Sequence, residues 1–462
     1  MSKKSNDFID FRRQLRLISE DRRNFRGNQA ILDMRANSVD SSEEEDGPDI
    51  SYYERFSFLV NGDVNQVPYF TNFLFAQSEQ QIIEAFKSLP NLILFLKNCF
   101  LAGSENDTLL FHSMMLILII QSLDVDLSPF CDPAVFALIF RNLQYYNVMI
   151  RIYSLTMITN LIIDYPQIYE SLSEAHFLDI LMNLLVFEDR DGKSEKSELP
   201  YRAKESLFFE LANAIATIAK LKIFKPEDCP KLWDISVMFI NDGDFSDSIE
   251  KSIGVLGILA SAGFVQQFPQ NIMEYFASCV LDGISILKSF IFFLKNMGIE
   301  FFKELLQYDL LENIILVISN DVKENGQVIY QFLGEIQFHT YDENFIFSTL
   351  DLLDKGRFQT RVNIIYYLSR ILTSTSTKLI QNLIEYDILF CIEELLSVDD
   401  SEVSVVCLTF LEIFFNTFKS ASSQKITEIP NADVILSQIT DIISTISDEV
   451  DEQINRILAL AA

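Results

Sequence analysis

Three asparagines stand at matching positions of separate apolar segments. They occur in Thr156-Met-Ile-Thr-Asn160, Phe209-Glu-Leu-Ala-Asn213 and Phe292-Phe-Leu-Lys-Asn296. An asparagine amide both donates and accepts hydrogen bonds on a short side chain, so a row of amides can bind the exposed backbone of an extended peptide. A ring four residues earlier, as at Phe209 and Phe292, shares the helix face and can contact the stem and charge of a lysine or arginine.

The asparagines belong to an internal repeat in which an apolar helix, a short polar gap and a second long apolar helix follow one another. Aligning the second long helix of each unit marks eight positions, which are about 42 residues apart on average: Ile119, Asn160, Asn213, Ile258, Asn296, Glu335, Arg370 and Glu412. That period is typical of armadillo and HEAT arrays, whose stacked units share one core. The sequence therefore predicts an all-α, right-handed armadillo-repeat solenoid of about eight to ten repeats, with a basic N-terminal arm.

Composition supports a helical, ordered body. Apolar residues make up 49% of the chain, whereas 14 glycines and 11 prolines are too few for many hairpins or for glycine-rich nucleotide-binding turns. The six cysteines form no C-x-x-C pair, and three histidines do not furnish a metal cluster, so we expect buried reduced thiols and no metal or other cofactor. We find no secretory signal and no uninterrupted apolar stretch of membrane-spanning length, which predicts a protein of the cytoplasm and nucleus.

Charge is distributed unevenly along the chain. The net charge is −30, yet residues 1–36 carry nine Lys or Arg against five Asp or Glu. An acidic body repels nucleic-acid phosphates and attracts basic ligands, so we expect no nucleic-acid partner and no membrane partner. The sequence divides into a basic arm (1–36), an acidic disordered linker (37–60), a repeat solenoid (61–428) and C-terminal capping helices (429–462). A polar insert, 188–200, is predicted to be a loop at the edge of the solenoid.

With these features the chain resembles importin alpha, the family of adaptors that carry nuclear-localisation signals. The resemblance covers nearly the whole length, and it rests on the arginine-rich arm, the acidic linker and the co-linear repeats. The family's repeats carry Trp-x-x-x-Asn on the groove-lining helix; here that Trp is absent from every unit, while Asn remains in three. Asn160-Leu-Ile-Ile-Asp164 also keeps the acidic residue that, in the family, meets a signal lysine.

The resemblance implies a nuclear-import adaptor whose partners are basic signal-bearing cargo proteins and importin beta. Signal binding would then fall to eight residues of an acidic, Asn-lined concave groove: Met115, Thr156, Asn160, Asp164, Phe209, Asn213, Phe292 and Asn296. Binding to importin beta, and autoinhibition when the arm is free, would fall to Arg12, Arg13, Arg16, Arg22, Arg23, Arg26 and Arg35. An export factor is a further expected contact, at the acidic C-terminal run 448–452.

Alternative interpretations stay open at this point. Phe209 and Phe292 are two of 40 phenylalanines and, taken in isolation, are more readily explained as core residues than as groove residues. Arg370 places a cation where the family has Asn, which argues against the family's second, minor binding site. Loss of every groove Trp favours a generic armadillo scaffold with a different ligand. The sequence contains no phosphate loop, H-E-x-x-H or G-x-S-x-G motif, so we expect no enzymatic activity.

Overall fold

The chain folds into helices arranged in two compact units. The computed structural model describes residue 67 and the ranges 91–121, 125–145, 147–186, 201–242, 244–319, 325–338, 340, 342–372, 377–398, 400–422, 424–442 and 448–461. These residues form 21 α-helices and no strand. Unit 1 runs to Val255 and unit 2 from Leu256. The predicted basic arm, acidic linker and polar insert lie outside the described residues.

Unit 1 contains the first eight helices and most of the ninth. They are α1 (Leu92–Ala102), α2 (Asp107–Gln121), α3 (Pro133–Leu143), α4 (Val148–Asp164), α5 (Ile168–Glu174), α6 (Phe177–Val186), α7 (Tyr201–Lys220), α8 (Cys229–Asp242) and α9 (Ser246–Ser261). The boundary between the units falls inside α9.

Unit 2 contains the remaining helices. They are α10 (Gln270–Ser278), α11 (Ile284–Met297), α12 (Ile299–Leu305), α13 (Leu310–Ser319), α14 (Asn325–Glu335), α15 (Glu343–Lys355), α16 (Phe358–Ile371), α17 (Thr377–Glu385), α18 (Ile388–Leu396), α19 (Ser401–Ala421), α20 (Ala432–Ile442) and α21 (Asp448–Ala461).

The helices follow the three-helix pattern of armadillo repeats. A complete repeat has a short first helix and two longer ones, as in α5–α6–α7, α12–α13–α14 and α17–α18–α19. In three other repeats a 3₁₀ turn replaces the first helix, at 128–130, 226–228 and 426–428. Each of the eight positions marked in the sequence lies on a third helix, and α21 adds a ninth repeat. The predicted fold class, an all-α armadillo-repeat array, is confirmed.

Successive repeats stack through equivalent helices. In unit 1 the third helices α2, α4 and α7 contact one another in turn; in unit 2 the same holds for α11, α14, α16, α19 and α21. The second helices form the other layer, with α1, α3, α6 and α8 in contact in unit 1. Each helix is therefore covered by its own repeat and by its neighbours, which is how short amphipathic helices acquire a continuous core.

A left-handed residue marks the turn into the second helix of several repeats. Four non-glycine residues with φ between 55° and 62° immediately precede the second helix of their repeat: His176, Asp309, Asp387 and Asn431. Asn, Asp and His are the non-glycine residues that adopt this conformation most readily. The amide of Asn431 also donates to the carboxylate of Asp387 at 2.8 Å, which links the same turn of two consecutive repeats.

Aromatic side chains fill the core at the start of unit 2. Phe276 is fully buried, and its ring lies 5.0 to 6.3 Å from the rings of four other phenylalanines, centroid to centroid: Phe268, Phe290, Phe293 and Phe301. These rings come from α10, α11, α12 and the segment before α10. The cluster fixes α11, whose opposite side faces solvent.

One described helix, α19, is long and apolar enough to cross a membrane by length and composition, with half of the stretch buried inside the protein. It contacts α16 on one side and α21 on the other as a third helix of the array. Packing against these two helices accounts for its apolar residues, because a helix buried in the core of a protein can be as long and as apolar as one that crosses a membrane.

Candidate functional site

The third helices of unit 2 present a polar and aromatic surface to solvent. Ten residues of α11, α14 and α16 share it, and every one is exposed or half-buried. We call this surface the unit 2 face: Lys288, Phe292, Lys295, Asn296, Gln327, Gln331, Glu335, Asn363, Tyr366 and Arg370. Spacings of three and four residues place the members contributed by each helix on one side of that helix.

Two glycines hold the aromatic rings of the unit 2 face in place. A Cβ on Gly257 of α9 would lie 2.6 Å from Cδ1 of Phe292, and a Cβ on Gly334 of α14 would lie 2.7 Å from Cε1 of Tyr366. Both glycines stand one residue before a marked position, and both rings stand four residues before the next one. The same contact therefore recurs in two repeats, and it requires a residue without a side chain.

Polar contacts tie adjacent third helices together across the unit 2 face. Nζ of Lys295 lies 2.5 Å from a carboxylate oxygen of Glu335, and the amide of Gln331 donates to the same carboxylate. Nδ2 of Asn363 donates to the backbone carbonyl of Gln327 at 2.9 Å. Ionic and amide groups of adjacent helices thus interact along the face.

Asn160 does not face solvent. Its side chain is 4% exposed, and Nδ2 donates to Oε1 of Gln121 at 3.0 Å. Gln121 in turn donates to the backbone carbonyl of Met157. The amide predicted to bind a peptide therefore forms a buried link between α2 and α4. A second predicted contact residue, Met115, is also buried, with 8% exposure.

The remaining predicted residues of unit 1 are accessible. Asp164 is exposed at the end of α4, and Thr156 is half-buried, with its hydroxyl donating to the carbonyl of Ile152. Phe209 and Asn213 are half-buried on one side of α7. Of the unit 1 residues, then, α4 and α7 present Thr156, Asp164, Phe209 and Asn213 to solvent, while Asn160 and Met115 act in packing.

The ring of Phe209 makes a cation–π contact with a lysine of the same chain. Nζ of Lys251, from α9, lies 4.7 Å from the ring centroid. Burial, and then the positive charge of Lys220, lower the pKa of Lys251. The ring of Phe209, which was predicted to contact a ligand cation, therefore already contacts an ammonium group of the protein.

Both predicted residues of unit 2 lie on the unit 2 face. Phe292 is 42% exposed and does not belong to the core, which answers the alternative interpretation for this residue. Asn296 is half-buried and donates from Nδ2 to the carbonyl of Phe292 at 2.7 Å. Sequence reasoning did not identify Lys288, Gln331 or Asn363. A signal was present, because glycine recurs one residue before the marked position at Gly257 and Gly334.

The seven arginines predicted to bind importin beta lie outside the described residues: Arg12, Arg13, Arg16, Arg22, Arg23, Arg26 and Arg35. The acidic C-terminal run predicted as an export-factor contact begins α21 at Asp448. Both assignments remain predictions.

A separate cleft of about 490 Å³ lies among α15, α16 and α17 of unit 2. Its lining is largely apolar and includes Phe345, Phe347 and Leu379. None of the residues predicted from the sequence to bind a peptide lines this cleft.

The cysteines and other residues able to bind a metal are dispersed in the described part of the chain. Among those residues no three His, Cys, Asp or Glu side chains come together as a metal site. Cysteines 99, 229, 279, 391 and 407 are buried, whereas Cys131 is half-buried. Burial raises the pKa of Cys99 to about 11 and that of Cys407 to about 12, so both thiols are protonated at neutral pH.

The two asparagines of unit 1 should respond differently to truncation. We expect Asn160→Ala to lower the free energy of unfolding by about 1–2 kcal/mol, because Gln121 loses a buried partner, and Asn213→Ala to change it by less than about 0.5 kcal/mol. Urea denaturation followed by the fluorescence of Trp233, the single tryptophan and a buried residue of unit 1, measures both. Equal losses in the two variants would contradict the distinction.

Comparison with known proteins bears on the fold. No family model matches this sequence, and no curated protein matches it significantly. An engineered protein of known crystal structure is similar in fold, with a TM-score of 0.60 and 14% identity over 88% of this chain and 98% of that one. Computationally designed armadillo repeat proteins for modular peptide recognition match 50% of this chain and 100% of their own, with a TM-score of 0.39 and 15% identity.

At these identities only the longer similarity is informative, and it concerns the fold alone. It spans both units, and it agrees with the repeat seen in the helices, their period and their stacking. The chain has an armadillo-like repeat fold.

Proposed function

We propose that this protein is a non-enzymatic scaffold that binds an extended peptide segment of a partner protein along its third helices. The observation that carries the proposal is the unit 2 face, where Asn296, Gln331 and Asn363 place one accessible amide on each of three successive third helices. An extended peptide has unpaired N–H and C=O groups at regular intervals, and amides spaced by the repeat are suited to pair with them.

The absence of enzymatic activity is part of this proposal. The accessible residues of the unit 2 face are amides, aromatic rings and charged side chains. Where the thiol pKa is raised by burial, as for Cys99 and Cys407, the sulfur is a poor nucleophile. Peptide recognition by the similar designed armadillo proteins is a property of those proteins, and it is consistent with the role proposed here.

A nuclear-import adaptor is the more specific candidate, acting in the cytoplasm and nucleus with importin beta as a second partner. One contact favours it: the ring of Phe209 already holds a lysine ammonium, and Asn213 lies one turn further along α7. A signal lysine would take the place of Lys251 over the ring, and Asp164 would supply negative charge at the end of α4. Each such contact is worth about 0.5–2 kcal/mol.

Fluorescence anisotropy with a lysine-rich signal peptide tests the adaptor. We expect binding at micromolar concentration or tighter to a chain lacking residues 1–36, and weaker binding to the full chain if the arm competes for the site. Phe209→Ala with Asn213→Ala should weaken binding at least about tenfold, since a ring contact and an amide are lost together.

The matched control is Asn241→Ala, which changes an exposed asparagine on the second helix α8. It should leave peptide affinity within about twofold. Absence of binding at both low and physiological salt would remove the adaptor and leave a scaffold for another ligand. Equal weakening by the control would show that the affinity does not come from α7.

A further inference from the structure

One junction between consecutive repeats of unit 2 is packed differently from the others. The second helices of neighbouring repeats contact each other directly where α10 meets α13, where α13 meets α15 and where α18 meets α20. Among the described residues α15 and α18 lack a comparable contact, and their repeats are joined through α16 and α19. The cleft of about 490 Å³ lies at this junction, between α15 and α16 on one side and α17 on the other.

The walls of the cleft are mainly aromatic and aliphatic. They include Phe345 and Phe347 of α15, Tyr367 and Leu368 of α16, and Leu379 of α17. Phe347 is 66% exposed, the most exposed large apolar side chain among the described residues. An apolar group bound against this ring would remove it from water, which is favourable. The volume and the lining therefore fit a small-molecule site, since such sites are mostly apolar and measure about 300–1,000 Å³.

The hydroxyl of Tyr367 has no hydrogen-bond partner among the described residues, although the side chain is only 2% exposed. The neighbouring Tyr330, whose ring centroid lies 5.8 Å away, is equally buried, and its hydroxyl donates to Thr349 at 2.9 Å. Oγ1 of Thr349 in turn donates to the carbonyl of Phe345. A buried hydroxyl without a partner costs free energy, and Tyr367 lines the cleft, where a ligand can supply the missing partner.

The polar groups of the cleft indicate what the ligand must offer. Burial raises the pKa of Tyr367, so its hydroxyl stays protonated at physiological pH and can donate a hydrogen bond. The half-buried amide of Asn382 can also donate. The two charged residues of the lining, Lys378 and Glu385, have opposite signs, so the lining has no net charge. A neutral ligand with a hydrogen-bond acceptor matches these groups.

We propose that this cleft binds a small, neutral aromatic molecule that carries a carbonyl or another hydrogen-bond acceptor. Its rings pack against Phe345 and Phe347, and its acceptor receives a hydrogen bond from the hydroxyl of Tyr367. None of the ten residues of the unit 2 face lines the cleft, so this site is separate from the surface proposed to bind a peptide. Tyr366 and Tyr367, adjacent on α16, thus belong to different surfaces.

The test uses the full chain and two fluorinated compounds of nearly the same shape. 4-Fluorobenzophenone has two rings and a carbonyl, whereas 4-fluorodiphenylmethane has a methylene group in place of the carbonyl. Broadening of the fluorine NMR line as protein is added measures the dissociation constant. We expect saturable binding of the benzophenone with a dissociation constant below about 1 mM, and binding of the diphenylmethane that is about three- to tenfold weaker.

Tyr367→Phe removes the hydroxyl and keeps the ring. It should weaken the benzophenone about three- to tenfold and leave the diphenylmethane within about twofold, because only the benzophenone accepts a hydrogen bond. The matched control is Tyr330→Phe, which makes the same change in the neighbouring buried tyrosine, a residue that does not line the cleft. It should leave both affinities within about twofold.

A second pair of variants tests the apolar wall without touching a buried residue. Phe347→Ala should weaken both compounds about three- to fivefold, because an aromatic contact is lost. Phe390→Ala is its control, since this ring of α18 is 47% exposed and lies outside the cleft. Circular dichroism of each variant verifies that the helices are retained, and the pair at Phe347 and Phe390 keeps the test decisive if Tyr367→Phe disturbs the core.

Each contrary outcome has a distinct meaning. Absence of saturable binding, or equal weakening by a cleft variant and its control, would overturn the inference. Equal affinity for the two compounds would overturn the requirement for an acceptor and with it the role of Tyr367. Displacement of the benzophenone by a lower concentration of an amphipathic helical peptide of Leu and Lys would overturn the assignment to a small molecule in favour of a helix of a partner protein.

Discussion

Replacing Phe276 by alanine is expected to lower the free energy of unfolding by about 3–5 kcal/mol, the largest effect among the changes considered for this protein. The side chain is fully buried, and its ring contacts four others that belong to α11, to α12 and to the segment before α10. Alanine removes the apolar surface and leaves a cavity, because rings fixed on separate helices move little into the vacated space. Urea denaturation followed by circular dichroism measures the loss.

Phe292→Ala provides the comparison within the same region. Phe292 is 42% exposed on α11, so its truncation should cost less than about 1 kcal/mol of unfolding free energy. Phe276 would then contribute more to stability than Phe292 does. Similar losses of stability in both variants would mean that Phe292 packs more closely than its exposure indicates.

Gly334→Ala should destabilise the protein by about 1–3 kcal/mol, although alanine is the better helix former by about 1 kcal/mol. A Cβ at this position would lie 2.7 Å from Cε1 of Tyr366 and 3.2 Å from Cα of Tyr367. The ring is able to rotate away, but the backbone of α16 is not, so the two helices must separate slightly. Chemical denaturation of Gly334→Ala, Tyr366→Ala and the double variant gives the coupling energy between the positions.

Gly254→Ala is the matched control, because no atom outside the helix lies within 4 Å of a Cβ at that position of α9. We expect Gly254→Ala to leave stability unchanged or to raise it by up to about 1 kcal/mol. If Tyr366→Ala restores most of the stability lost in Gly334→Ala, the close contact with the ring is the cause. A double variant that shows simple additivity would assign the loss to α14 alone.

The helical class, the repeat and the position of the third helices could be predicted from the sequence. Those features depend on the spacing of apolar residues along the sequence, and this spacing is visible within a single repeat. The eight marked positions, from Ile119 to Glu412, all lie on third helices for this reason. The register alone did not determine accessibility, because Asn296 is half-buried whereas Asn160 at the same register is buried.

Only the tertiary structure decided which side chains of neighbouring repeats meet. Asn160 is buried because Gln121, 39 residues earlier, accepts its hydrogen bond, and Phe209 is covered by Lys251 from the following repeat. Arg361 likewise bonds to Glu394 of α18, 33 residues later in the sequence. Periodicity fixes the face of a helix on which a residue lies. The partner that this residue meets depends on how the next repeat is rotated and shifted, and that is set by packing across the whole array.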